Sequence, residues 1–256
     1  MVHRALVTGA SAGLGLEFAH QLAARGLDLL LVARREAKLE AAAEALRARH
    51  GVDVAILADD LSDPEAPRRI EDFVRERGLQ VDWLVNNAGS GGPDLLEDRD
   101  WSEHARFYEL MMISVAQTCH RFVPPMRERG FGRVINVSSV AGRLATRGGC
   151  NYGPAKAWVV AMSEELALTL AGTGVHVTAL CPGFTHTDFH EAAGLMDMKN
   201  ALPKAIWYDA DVVAREGIEA VEQGKAIRVS GRLYRWLDPL AQSVFTRWLL
   251  KAGTPR

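Results

Sequence analysis

The sequence predicts an α/β fold: a single domain on a doubly wound parallel sheet of about seven strands, with helices on both faces. Three observations carry this. Short Leu-rich or β-branched runs alternate with longer helix-period segments along the chain. Most of those runs lack polar alternation, as strands covered on both faces do. The chain of 256 residues is 48% apolar and 24% charged, a composition that fits one globular unit and rules out disordered or low-complexity classes. No linker, internal repeat or boundary interrupts it, so residues 1–256 are read as one domain.

Each element has its own signal. A first strand at 4–8 holds Ala5-Leu6-Val7 and is ended by Gly9. A helix at 14–25 is stopped by Gly26, and Leu29-Leu30-Leu31-Val32 marks a strand at 28–33. A helix at 36–50 stops at Gly51, and a strand follows at 53–58. Ser62-Asp63-Pro64 reads as an N-cap with proline near the first helical position, opening a helix at 64–77. Then come a strand at 83–86, a long helix at 101–129, a strand at 133–138 and a helix at 152–171. A strand at 176–180, a helix at 209–223 and a weaker strand at 226–229 complete the sheet. The least regular stretch, 184–208, follows the sixth strand, at the carboxyl edge where such sheets bind ligands.

Composition excludes several functions. The net charge of −2 gives no basic excess for nucleic acid. Cys119, Cys150 and Cys181 are scattered without a CxxC, which suits a reducing compartment and supplies neither a disulfide framework nor a zinc site. No targeting segment or apolar run of transmembrane length is visible, so a soluble, cytoplasmic protein is expected.

Chemistry begins where the first strand meets its helix, in Thr8-Gly9-Ala10-Ser11-Ala12-Gly13-Leu14-Gly15. Glycines permit a tight turn and close backbone approach to a pyrophosphate, and the helix N-terminus offers free N–H groups. The G-x-x-x-G-x-G spacing reads as the dinucleotide-binding loop of a Rossmann-type sheet or, alternatively, as an ordinary strand-turn-helix with glycine caps. The second strand ends in Ala33-Arg34-Arg35, with no acid to hold a ribose 2′-hydroxyl. An arginine there suits a 2′-phosphate, which favours NADP(H) over NAD. Arg34 is the first candidate contact and Arg35 the second; Arg35 equally reads as the start of a solvated helix face with Glu36 and Lys38. Tyr152 and Lys156 stand one turn apart at the head of a helix, and Pro154 is tolerated in that first turn. A lysine cation beside a phenol favours phenolate and lowers the tyrosine pKa. Ser138-Ser139 ends the fifth strand at the same carboxyl edge.

In chain order, Thr8-Gly9-x-x-x-Gly13-x-Gly15, Asp60-Leu61, Asn86-Asn87-Ala88-Gly89, Ser139, Tyr152-x-x-x-Lys156 and Pro182-Gly183-Phe184-Thr185-His186-Thr187 together resemble the short-chain dehydrogenase/reductase family, in its short single-domain branch. The resemblance implies a catalytic set of Ser139, Tyr152 and Lys156. Tyr152 would act as general acid or base and Ser139 would hold the substrate oxygen. Lys156 would lower the Tyr152 pKa and bind the nicotinamide ribose. It implies a cofactor set of Gly9, Ser11, Gly13, Leu14, Gly15, Arg34, Arg35, Asp60, Leu61, Asn87, Ala88, Gly89, Tyr152, Lys156, Pro182, Gly183, Thr185 and Thr187. Asp60 and Leu61 would flank the adenine, while Thr185 and Thr187 would meet the carboxamide and phosphate side. No metal is implied. A homodimer or homotetramer is, with the helices at 101–129 and 152–171 as its seam.

One position departs from that pattern. Many relatives carry an Asn in the long helix, where it helps hold a water relay to the lysine; the corresponding residue is Met111. Ser114 is the nearest polar substitute, and core packing is the other reading of Leu110-Met111-Met112-Ile113. The apolar residues Val140, Leu144, Phe184, Phe189, Leu195, Met196, Met198 and Trp207 suggest a hydrophobic ketone, aldehyde or secondary-alcohol substrate, such as a steroid-like or acyl-chain compound. His186 and His190 flank that loop as substrate contacts or solvated side chains. The tail at 232–252 carries a helical apolar stripe, Leu233, Trp236, Leu237, Leu240, Val244, Phe245, Trp248 and Leu249, with Asp238-Pro239 as a break. It reads as packing on its own fold or on a subunit, as a flap, or as an interfacial membrane helix. The rival functions are a non-catalytic NADP-binding regulator, favoured only by Met111, and an epimerase or dehydratase, disfavoured by the short chain.

Overall fold

The computed structural model describes residues 2–145, 150–186 and 206–246. Seven strands form one parallel sheet: β1 (Arg4–Thr8), β2 (Asp28–Ala33), β3 (Val54–Ala58), β4 (Trp83–Asn86), β5 (Gly132–Val137), β6 (Val175–Cys181) and a last strand, Ile227–Val229. Their spatial order is β3-β2-β1-β4-β5-β6 followed by the last strand. The order reverses between β1 and β4, and sheets of this kind bind ligands outside the carboxyl ends of the strands at such a switch point.

Side chains alternate across each strand, so one strand feeds two cores. Ala5, Val7, Leu29 and Leu31 face α1 (Gly13–Ala23) and α2 (Glu36–His50), which supply Phe18, Leu22, Leu39 and Leu46. Leu6, Leu30 and Val32 face the opposite layer, where α3 (Ala66–Glu76) contributes Ile70. That buried double layer explains why the strand runs show no polar alternation.

Several boundaries differ from expectation. The helix expected from residue 64 begins at Ala66: the Asp63 carboxylate accepts from Glu65 N (3.0 Å) in the preceding turn. Pro67, not Pro64, takes the first-turn position. The long helix at 101–129 is divided into α4 (Trp101–Tyr108), a π-turn (Glu109–Ile113) and α5 (Ser114–Glu128). After α6 (Tyr152–Thr169), a small parallel pair joins β7 (Phe184–His186) to β8 (Trp207–Asp209), where only loop was expected. Then follow α7 (Ala210–Glu222), the last sheet strand (β9) and α8 (Arg232–Gln242). The expected break at Asp238-Pro239 is absent, since α8 runs through Pro239. Asp238 is held by Arg143 instead of capping a new helix. Among the described residues no helix is long and apolar enough to cross a membrane.

Candidate active site

The glycine loop follows β1 at the switch point between β1 and β4. Gly9 and Gly13 take positive φ (66° and 55°), a region that L side chains rarely adopt. A Cβ on Gly15 would lie 2.3 Å from Gly9 O and 2.5 Å from Asn87 Nδ2. Asn87 Nδ2 donates to Thr8 O (3.0 Å), and Thr8 Oγ1 accepts from the N–H groups of Asn87 (2.9 Å) and Ala88 (3.1 Å). The Asn87-Ala88-Gly89 turn thus braces the loop from the neighbouring strand. α1 opens with Ala12 at its N-cap and no side-chain cap, which leaves its first N–H groups for an anion. The cradle fits a pyrophosphate. Replacing Gly15 with Ala is expected to cut dinucleotide affinity at least about tenfold and to destabilise by about 1–3 kcal/mol, as overpacking does. Cofactor titration and a thermal melt read both.

The surrounding candidates fall as follows. Leu14 is half-buried on the core. Arg35 Nη2 donates to Ser11 Oγ (3.1 Å), so this arginine is drawn onto the loop and does not simply start a solvated face. Arg34 is exposed just past β2, beside the loop. Asp60 lies past β3, with its Oδ1 accepting from Ser62 N (3.0 Å) and Oγ (2.9 Å). Leu61 is 5% exposed and packs into the core.

The catalytic candidates converge at the end of β5. Ser139 follows the strand, and its Oγ accepts from Ala141 N (3.1 Å) to cap a short 3-10 turn, Val140–Gly142. That turn is pressed onto α6: a Cβ on Gly142 would come within 2.6 Å of the Lys156 carbonyl carbon. Ser138 secures the same junction by donating to Lys156 O (2.7 Å). The Ser139 side chain thereby acts on the Tyr152 hydroxyl, in the direction that lowers its pKa. Of the two adjacent serines, one holds the helix and the other faces the tyrosine.

The electrostatics differ from the sequence expectation. Burial pushes the Tyr152 hydroxyl up to about 12, against the opposing effect of the Ser139 hydrogen bond. Burial also pulls Lys156 down to about 8. The lysine Nζ donates to Val137 O (2.8 Å) and stands 5.8 Å from the Tyr152 ring centroid. Desolvation dominates both groups, so the expected lowering of the Tyr152 pKa by Lys156 is not seen.

Met111 sits in the π-turn, 1% exposed, packed with Phe107 and Ala155. Its Sδ accepts from Ser90 N (3.5 Å). Ser114 Oγ donates to Leu110 O (2.8 Å), so the nearest polar substitute is occupied within its own helix. The core-packing reading of Met111 is the one the structure gives.

On the far side, Pro182 O accepts from Val140 N (2.9 Å). Gly183 lies under the Tyr234 ring, where a Cβ would fall 2.0 Å from it. Thr185 is 6% exposed, and its Oγ1 donates to Gly183 O (3.1 Å). Phe184 and His186 flank Trp207, with ring centroids at 5.1 and 5.2 Å. Val140 packs inward beside Tyr234 rather than standing alone as a pocket wall. Thr187, Phe189, His190, Leu195, Met196, Met198, Trp248 and Leu249 lie outside the described residues.

Sequence reasoning missed a buried group beside Tyr152. Asn151 Nδ2 donates to Pro93 O (2.8 Å) and to His104 Nδ1 (2.9 Å), and Tyr108 donates to Asn151 Oδ1 (2.5 Å). The only signal was adjacency to Tyr152.

A glycine cradle at the switch point of a parallel sheet, with a serine, tyrosine and lysine at the next strand end, defines a nucleotide-dependent oxidoreductase site. The chain belongs to the short chain dehydrogenase family, whose model matches residues 3–197. It is 34% identical over 191 residues to the 3-oxoacyl-(acyl-carrier-protein) reductase FabG of Escherichia coli, covering 73% of this chain and 75% of that one. Among solved structures, a short-chain dehydrogenase from Sphingobium yanoikuyae in complex with NADPH aligns with TM-score 0.83 and 29% identity, over 100% of this chain and 97% of the other. A bulky-bulky ketone specific alcohol dehydrogenase from Comamonas testosteroni aligns with TM-score 0.79 and 25% identity, over 100% and 96%.

Proposed function

We propose that this oxidoreductase transfers hydride between NADP(H) and a hydrophobic ketone, aldehyde or secondary alcohol, with Tyr152 as general acid or base. The observation that carries the reading is the turn after Ser139 packed onto the helix that bears Tyr152 and, one turn on, Lys156, with the glycine cradle alongside. Bound NADPH supplies the hydride. Ser139 holds the carbonyl oxygen against Tyr152. The Tyr152 hydroxyl, kept protonated by burial, donates its proton to that oxygen as the alcohol forms. Lys156 would hold the nicotinamide ribose hydroxyls through its ammonium group. The aromatic group of Phe184, His186 and Trp207 supports an apolar substrate, as does the ketone named for the Comamonas relative. Exposed Ile113 and Leu168, on the two long helical segments, support a homo-oligomer seam there.

Arg34 carries the cofactor choice in this reading. Exchange for Ala is expected to lower kcat/KM for NADPH by about 10- to 100-fold and leave NADH unchanged. That is the worth of charge-assisted hydrogen bonds of about 1.5–3 kcal/mol to a 2′-phosphate. The test of the whole reading is NADPH consumption across a panel of hydrophobic ketones and aldehydes, with NADH as control. Tight NADPH binding without turnover on any of them would replace it with the regulator reading.

A further inference from the structure

The C-terminal helix makes two sets of polar contacts that the family motifs do not include. On one side, Arg143, four residues after Ser139, gives Asp238 of α8 a two-pronged ion pair: Nε to Oδ1 at 2.9 Å and Nη2 to Oδ2 at 2.7 Å. Both side chains are largely buried, 15% and 17% exposed, so this pair is shielded from solvent. Gln242 adds a bond from Nε2 to the Arg143 carbonyl (2.6 Å). On the other side, one turn earlier, the Tyr234 hydroxyl donates to Ile206 O (2.9 Å) and accepts from Phe184 N (3.4 Å). A single hydroxyl thus joins the two chain ends that flank residues 187–205, while its ring lies against Gly183. Tyr208 of β8 answers by accepting from Leu233 N (3.1 Å).

We infer that α8 is a positioning strap for the reaction: Asp238 and Gln242 hold the turn that aims Ser139, and Tyr234 holds the base of the substrate-binding segment. Asp238, Gln242, Arg143 and Tyr234 are positioning residues, acting through Ser139 and through the Phe184–Ile206 junction. The physical reason is leverage. The turn Val140–Gly142 is short, has no buried residue of its own and is fixed on one flank by α6. The other flank is held by Pro182 O, which accepts from Val140 N, and by α8, 95 residues away in the chain. A displacement of about 1 Å at a reacting group costs on the order of 100-fold in rate, so a loosened turn appears in turnover before it appears in stability.

The inference rests on Ser139 and Tyr152 carrying the reaction, and the experiment separates the two. Steady-state kinetics on the best ketone of the panel, NADPH titration and thermal melts are run on wild type, Asp238→Asn, Asp238→Glu, Tyr234→Phe and Tyr152→Phe. Asp238→Asn is expected to lower kcat by about 5- to 30-fold with NADPH affinity within about twofold, and Asp238→Glu to recover most of it. Tyr234→Phe keeps the ring over Gly183 but loses the bridging hydroxyl, and is expected to raise KM for the ketone more than it lowers kcat. A lower melting temperature with unchanged kcat and KM per folded enzyme, in both Asp238→Asn and Tyr234→Phe, would overturn the strap. Turnover that survives Tyr152→Phe would instead overturn the catalytic reading beneath it.

Discussion

Replacing Tyr152 with Phe is expected to abolish turnover, by about 10³-fold or more, while NADPH still binds within about twofold of wild type. The change removes one oxygen and keeps the ring, which packs beside Phe107, Met111 and Ala155. The fold therefore has little reason to respond. The reaction does, because the oxygen that becomes an alkoxide loses the proton donor placed beside Ser139; a positioned acid contributes about 10²–10⁴-fold. The direction of the pKa shift gives a second readout. A hydroxyl pushed up to about 12 stays protonated across the working range. Carbonyl reduction by the wild type is thus favoured at neutral pH, and alcohol oxidation, which needs the deprotonated form, rises with pH. Rates for both directions between pH 6 and 10 check this; an oxidation rate that fell with pH would contradict it.

Lys156→Met is expected to give the opposite balance: an inactive protein that is more stable without cofactor. Burial pulls the lysine from 10.5 to about 8, and a shift of that size amounts to about 3 kcal/mol against the charged folded form. The unfolded chain holds the proton more tightly, so this residue's contribution to stability rises as pH climbs from about 8 towards 10.5. Below pH 8 the full cost is present. Methionine removes the charge but orphans the Val137 carbonyl that accepts from Nζ, which returns about 1 kcal/mol. The net expectation near pH 7 is a gain of about 2 kcal/mol, with the pH 8–10 rise gone and activity lost. Denaturant melts at pH 7 and 9.5 on both proteins decide it, and a Lys156→Met variant no more stable than wild type at pH 7 would refute the cost assigned to the buried ammonium. Bound NADPH should reverse the order, since its ribose hydroxyls give the ammonium partners.

Much of this was readable before any coordinates. The strand runs at Arg4–Thr8, Asp28–Ala33 and Trp83–Asn86 were local enough to place residue for residue, because a doubly covered strand needs nothing but continuous apolar side chains. The glycine loop was equally legible, since spacing and positive φ are properties of neighbouring residues. The misplaced boundaries share a cause. Asp63 divides its carboxylate between a local turn, through Glu65 N, and Arg69, and Asp238 answers to Arg143 rather than to its own backbone; in both, a side-chain partner competes with helix capping.

What the sequence by itself determined is the architecture and the glycine loop, which follow from periodicity and short-range spacing; the trio Ser139, Tyr152 and Lys156 it offered only through a family resemblance. What only the tertiary structure decided is how those groups are held. It aimed Ser138 at the α6 backbone, packed the turn after Ser139 onto α6, turned Lys156 onto Val137, buried Met111 and tied that same turn to α8. Each of those depends on which surface meets which across the fold, and on how much water that contact removes. Desolvation and partnership between distant residues leave no periodic mark along the chain.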